Sequence, residues 1–132
     1  MSKAVLDSSA VLASLFGEAG ASSVDEIISG SILSAVNAAE VISKLVERGM
    51  PVDLARTALV DTGVEVVPFD LDQAALAGAL RLLTIKQGLS LGDRACLALA
   101  KKFCVQAVTA DHAWTAAKGL GTEIVLIRPP AK

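Results

Sequence analysis

"CVQAVTADHAW", residues 104–114, carries the pattern on which the reading of the fold turns. A short apolar run stops at Asp111, and the chain's single histidine, His112, follows at once. The same signature, an apolar strand closed by an aspartate, already stands near the N-terminus in "KAVLDSSA", where the acid is Asp7. Strands this apolar are too hydrophobic for burial on one side only, so they belong in a parallel sheet covered on both faces.

Working outward from these two runs, strands are expected at 4–6, 31–34, 64–67, 105–109 and 123–127. Helices fall between them. Ser8 or Ser9 can cap a helix running to about Leu15, and "ASSVDEIIS" reads as a short one. From Val36 to Arg48 the positions Val36, Ala39, Ile42, Leu45 and Val46 trace an apolar stripe that stops at Gly49. Pro51 suits the first turn of a helix over 51–61, Leu71 to Gln87 supports a long helix closed by Gly88, and "SLGDRACLALAKKF" is another. A last helix is expected around Trp114 to Lys118, and the tail "RPPAK" should fray. Alternating strands and helices predict a three-layer α/β/α sandwich around a central parallel sheet, as one domain over residues 1–132.

Composition narrows the chemistry. Hydrophobic residues make up 53% of the 132 and aromatics 3%, so the core is built from Ala, Val, Leu and Ile, and stacking platforms for single-stranded bases are disfavoured. Trp114, Phe16, Phe69 and Phe103 are expected to fill core gaps. A net charge of −2 gives no global basic field for nucleic acid. Local patches would have to supply one, from Lys44, Arg48, Arg81, Lys86, Lys101, Lys102 and Lys118.

Cys96 and Cys104 lie on or just past one helix, about 12 Å apart by helical rise, too far for a disulfide. Free core thiols are expected, and one histidine with two such cysteines makes a poor zinc site. "AVLASLFGEAGA" ends in the Ala-x-Ala pattern of a secretory cleavage site, but Asp7 and Glu18 interrupt it and the basic region is a single lysine. A cytoplasmic chain is expected. No apolar run reaches the roughly 20 residues of a membrane span.

In open parallel sheets the functional crevice lies beyond the carboxyl ends of the strands. Asp7 and Asp111 fall there. Glu40 in "SAVNAAEVISKL" and Asp93 in "LSLGDRACLALA" sit within the first two turns of their helices, where they can point to the same edge. Each acid also has a purely structural reading. Asp7 and Asp111 can cap the helices that follow them, Glu40 can pair with Lys44 at helical spacing, and Asp93 stands three residues after Ser90 as in a capping box. Taken together, four converging carboxylates repel strongly, since one pair at about 5 Å costs roughly 3 kcal/mol at an effective dielectric of 20. A divalent cation resolves the conflict, and oxygen-only ligands suit Mg²⁺ or Mn²⁺. Such an ion can activate water against a phosphodiester.

The ordered set "VLDSSA", "SAVNAAEV", "LSLGDRACLALA" and "VTADHAW" resembles the PIN-domain ribonucleases and, within them, the VapC-type toxins of toxin–antitoxin pairs. The resemblance implies a Mg²⁺- or Mn²⁺-dependent endoribonuclease that forms homodimers and is inhibited by a VapB-like antitoxin. By position it makes Asp7, Glu40, Asp93 and Asp111 the acidic quartet, with Asp7, Asp93 and Asp111 on metal. Thr109 and Ser9 become supporting polar groups, and Arg94 either holds an RNA phosphate or is an exposed helix arginine. Some relatives carry a further acid near position 113, where this chain has Ala113. His112 lacks the partners of a base or zinc site and reads as a bystander.

Rival families fit less well. A haloacid dehalogenase-type phosphatase needs a second acid two residues after the first, where Ser9 stands. A receiver-type phosphoacceptor domain wants adjacent acids after the first strand and a lysine after the last, against Asp7–Ser8 and "VLIRPP". A non-catalytic PIN-like binding scaffold is the remaining alternative.

Overall fold

In a computed structural model, which describes residues 4–129, five strands form one sheet: β1 (Val5–Leu6), β2 (Ile32–Ser34), β3 (Glu65–Val67), β4 (Ala107–Thr109) and β5 (Ile124–Leu126). Every pairing is parallel and the order is β3-β2-β1-β4-β5. Because side chains alternate along a strand, Leu6, Leu33 and Val108 face one core while their neighbours Val5, Ile32 and Ala107 face the other. The first core is closed by α1 (Ser8–Phe16), α2 (Ala21–Asp25), α3 (Ala35–Glu47) and α4 (Val52–Asp61). The second is closed chiefly by α7 (Leu91–Phe103), with Leu80, Leu89, Trp114 and Leu120. This is the three-layer α/β/α sandwich that the sequence predicts.

Helix α7 is buried without a break from Ala95 to Ala100, and its alanines let the backbone lie close to the sheet. The strand order places a topological switch between β1 and β4, the strands that end at Asp7 and Thr109. The crevice expected at such a point is where the acids of the two opening motifs belong.

Several local expectations are corrected. Helix α1 is capped by Asp7, whose carboxylate accepts from the Ala10 amide, and not by Ser8 or Ser9. On α3 the buried positions are Asn37, Ala38, Val41 and Leu45, while Ala39 and Val46 are exposed. A count of apolar residues cannot find that face, because one of its members is the polar Asn37. The single helix expected from Leu71 to Gln87 is two, α5 (Leu71–Ala79) and α6 (Arg81–Thr84). Thr84 donates its hydroxyl to the Leu80 carbonyl at 2.9 Å, a side-chain bond back into the ladder that bends helices. The Trp114 segment is a 3₁₀ helix, His112–Ala116. Trp114 is fully buried, as expected, but Phe103 is 47% exposed and fills no core gap. Both cysteines are free; Cys96 is buried, whereas Cys104 is exposed, ending α7 in the left-handed region at φ 55°. Edge strand β3 exposes Glu65 and Val66, so it lacks the two-sided burial of the inner strands. Of the tail expected to fray, residues 130–132 lie outside the described residues, as does Lys3, the basic residue of the leader reading. Among the described residues no helix is long and apolar enough to cross a membrane.

Candidate active site

Strand β1 ends by delivering Asp7 to the start of α1, where its carboxylate is only 3% exposed. Oδ1 accepts from the Ala10 amide at 2.8 Å and the Ser9 hydroxyl at 2.7 Å, and Oδ2 accepts from the Thr109 hydroxyl at 2.5 Å. Burial nevertheless dominates and raises the Asp7 pKa from 3.8 to about 6; the three hydrogen bonds oppose the shift, and the charge of Asp93 adds to it. Ser9 and Thr109 also tie the two strand ends together. Ser9 Oγ accepts from the Ala110 amide at 3.0 Å, and Thr109 Oγ1 accepts from the Asp111 amide at 3.0 Å.

Asp93 sits at the third position of α7, half-buried. Its Oδ2 accepts from the Ser90 amide at 2.9 Å while Ser90 Oγ accepts from the Asp93 amide at 3.2 Å, the reciprocal capping box read from the sequence. Its pKa is raised, first by burial and then by the charges of Asp111 and Glu40, against the bonds from Ser90. Asp111 is exposed and caps the 3₁₀ helix, accepting from the Ala113 amide at 2.9 Å. All four acids lie at one edge of the sheet: Asp7 follows β1, Asp111 follows its neighbour β4, Asp93 stands in the first turn of α7, and Glu40 lies against Gly92 one residue before it. Beneath them the thiol of buried Cys96 is pushed well up by burial and then by Asp7, Asp93 and Glu40.

Glu40 is held from the side. Asn37, one turn earlier on α3 and 1% exposed, donates Nδ2 to Glu40 Oε1 at 2.8 Å and to the Gly92 carbonyl at 3.0 Å. The Glu40 carboxylate lies against Gly92 so closely that a Cβ there would stand 2.5 Å from both of its oxygens. Asn37 and Gly92 therefore join α3 to the start of α7 and set Glu40 beside Asp93. Sequence reasoning does not single out either residue. The signal is a polar side chain three residues before Glu40 on a face that turns inward, and a glycine one residue before Asp93.

The structural readings of the acids hold for three of them, since Asp7, Asp93 and Asp111 all cap helices. The Glu40–Lys44 pair does not form; Lys44 pairs instead with Glu47 at 3.4 Å. Arg94 is half-buried and donates Nη1 to the Ala77 carbonyl at 2.9 Å, so it fastens α7 to α5 and is not the exposed arginine of the sequence reading. His112 is half-buried beside Asp111, and only its backbone carbonyl, which accepts from Thr115, is engaged.

The donor set suits a hard divalent cation. Neither of the two ion pairs among the described residues involves one of the four acids, so no protein cation neutralises them. Glu40, Asp93 and Asp111 each use one carboxylate oxygen in the bonds above and leave the other without a partner among the described residues. Asn37 Oδ1 is buried in the same place and also lacks a donor. As the side chains stand, no three acids, histidines or cysteines among the described residues are grouped closely enough to hold one ion. The expectation of a tight fourfold meeting is corrected to that extent: the acids share one edge but do not close on a single point. A hollow of about 490 Å³ lies at the opposite end of the sheet beside Cys104, Gln106 and Glu123, remote from the acids.

The chain is similar in fold to several solved structures. A toxin–antitoxin complex from Klebsiella pneumoniae superposes with a TM-score of 0.75 at 19% identity, covering 95% of this chain and 98% of that one. DNA-bound VapBC from Salmonella typhimurium gives 0.73 at 16%, covering 97% and 100%. VapC20 of Mycobacterium tuberculosis, described as a Sarcin-Ricin loop cleaving toxin, gives 0.67 at 20%, covering 85% and 92%. No curated protein sequence matches the chain. The PIN domain family matches residues 4–120, a span that holds all four acids together with Ser9, Asn37, Gly92 and Thr109. With the parallel sheet, the switch point and the acidic edge in place, the chain belongs to the PIN-domain family.

Proposed function

We propose that this PIN-domain chain is a Mg²⁺- or Mn²⁺-dependent endoribonuclease, acting as the toxin of a VapBC-like toxin–antitoxin pair. The observation that carries the reading is the edge where Asp7, Glu40, Asp93 and Asp111 act on one another with no ion pair to a protein cation among the described residues. A bound divalent ion would neutralise the substrate phosphate and acidify a water molecule at this edge. Asp7, Asp93 and Asp111 would hold it through carboxylate oxygens, the latter two with the oxygen that the capping bond leaves free. Glu40, fixed by Asn37 and Gly92, either joins them or orients the attacking water with Oε2. Thr109 and Ser9 fix the direction of the Asp7 carboxylate, and no covalent protein intermediate forms.

The same reading includes a VapB-like antitoxin as partner, a homodimer, a single nuclease unit over residues 1–132 and a cytoplasmic site of action. Complexes among the similar structures, some of them DNA-bound, support the antitoxin partner. Incubating the pure protein with total RNA, with Mn²⁺ or with EDTA, tests the activity. New RNA ends should form only with metal and should be absent with Asp7→Ala. Equal cleavage by wild type and Asp7→Ala, or cleavage that survives the chelator, refutes the proposal. A non-cutting scaffold would bind RNA or partner in both forms and yield no new ends.

A further inference from the structure

Between α1 and α3 runs a groove whose outer part gathers basic side chains. The inner part, about 440 Å³, is lined by Leu12, Glu40, Ser43 and Lys44 among others. The outer part, about 250 Å³, shares Leu12 and Lys44 with it and continues past Ser9 and Phe16 to Arg48 and Arg128. Ser9 connects the outer part to the acidic edge, because its hydroxyl donates to Asp7 Oδ1 at 2.7 Å.

Residues 40, 44 and 48 are spaced four apart, so Glu40, Lys44 and Arg48 succeed one another along one side of α3 with a rise of about 6 Å between them. That step is of the order of the distance between successive phosphates of an extended strand. The guanidinium of Arg48 lies 3.9 Å from the centre of the Phe16 ring, which holds the long side chain in place and leaves its N–H groups unpaired among the described residues. Arg128 likewise makes no side-chain ion pair among the described residues. Lys44 shares only an exposed contact with Glu47, which solvent weakens and a phosphate can replace. Glu18 is the one acid in the outer part. In a chain of net charge −2, three cations on one groove that opens at the candidate catalytic acids are a local departure from the average surface.

We infer that the α1–α3 groove binds the phosphodiester backbone of single-stranded RNA next to the cleaved bond, with Lys44, Arg48 and Arg128 holding successive phosphates. The inference rests on the nuclease reading above. The charged groups that the outer groove adds beside the acidic edge are mostly cations, which hold phosphates and do not read bases, so the contact is to the backbone and tolerant of sequence. The groove gives an acidic protein a cationic approach for a polyanion, and it sets one direction of entry past Ser9.

The test is fluorescence anisotropy of a short labelled oligouridylate titrated with the full-length protein in EDTA, where no cleavage occurs, over a range of salt. Arg48→Gln, Arg128→Gln and Lys44→Gln should each reduce the slope of log K against log salt by about 0.7, and the triple variant by about 2. Lys86→Gln, exposed and outside the groove, serves as control and should leave affinity and slope unchanged. Thermal melting confirms that each variant is folded. A folded triple variant with wild-type affinity and slope overturns the inference, as does an equal loss from Lys86→Gln. Cleavage of the same RNA with Mn²⁺ separates the two readings. Groove-dependent binding by a wild type that never cuts leaves the groove and removes the nuclease; cutting by the triple variant with unchanged KM does the reverse.

Discussion

Replacing Gly92 by alanine should separate activity from stability. The new Cβ would stand 2.5 Å from Oε1 and Oε2 of Glu40, where ordinary contact starts at 3.4 Å, so the carboxylate must retreat by about 0.9 Å. What it meets is the end of a flexible side chain and not backbone, so the helix has no reason to move. Alanine in a helix gains roughly 0.5–1 kcal/mol over glycine. Loss of the Asn37–Glu40 bond costs about as much, and Asn37 keeps its bond to the Gly92 carbonyl. Net stability should therefore change by less than about 1 kcal/mol. A displacement near 1 Å at a reacting centre, in contrast, costs on the order of 10²-fold in rate. The assay is metal-dependent RNA cleavage beside thermal melting, repeated in a Glu40→Ala background. There Gly92→Ala should add no further loss, because the group it displaces is gone. Full activity in the single variant, a collapsed melting temperature, or an equal further loss without Glu40 would each refute the placement of Glu40 against Gly92.

Three further outcomes follow from the same geometry. The folded pKa of Asp7, about 6, lies above its unfolded value of 3.8, so the native state holds the extra proton between those values and metal-free stability falls as pH rises through that window. The loss is roughly 3 kcal/mol, complete above pH 6, and Asp7→Asn should abolish cleavage yet flatten the slope and melt higher than wild type near pH 8, as urea titration at several pH values will show. Thr109→Val removes a hydrogen bond that lowers the Asp7 pKa, so the acid limb of the pH–rate profile should move to higher pH; an unmoved limb would show that Asp7 does not set it. His112→Ala should leave cleavage nearly intact while Asp111→Ala abolishes it, and the reverse result in a gel-based RNA assay would exchange their roles.

The sheet was legible in the sequence because apolar strands closed by aspartate carry two signals at once, burial on both faces and a carboxyl-end loop. The inner strands around Val5 and Ala107 show both, whereas the one around Ile32 shows the burial but runs into Ser34 with no aspartate behind it. Edge strand β3 shows neither fully, and only its β-branched residues and Pro68 mark it. The four acids could be listed from order and position, but the residues that space them could not. Asn37 reads as solvent-facing in any apolar count, and the role of Gly92 appears only when α3 and α7 are brought together in three dimensions. The bend at Leu80 was hidden for a related reason. The Thr84 hydroxyl bonds back to the Leu80 carbonyl at the break, a contact that the apolar pattern from Leu71 to Gln87 does not announce, and Gly78 is the one glycine there, a residue that weakens a helix.

Capping alone does not account for the acids that cap. At the N-caps Asp7 and Asp111, serine or asparagine serves about as well as aspartate and carries no charge, and at Asp93, third in the capping box of Ser90, a neutral glutamine can close the same box. Setting Asp7, Asp93 and Asp111 at one edge adds repulsion instead, and it raises the pKa of Asp7 and of Asp93. It also places two of them, Asp7 and Asp93, where burial already disfavours ionisation. A protein selected for stability at these positions would exchange at least one acid for a neutral cap. A cap, however, occupies one carboxylate oxygen and leaves the second, as at Asp93 and Asp111, so the bond that starts each helix also aims a ligand. The repulsion between uncompensated charges is then the driving force for taking up a cation. On this logic the Asn variants at positions 7, 93 and 111 should all be more stable than wild type without metal and less stable in saturating Mn²⁺. If melting curves show no such crossing, the acids are caps and nothing more.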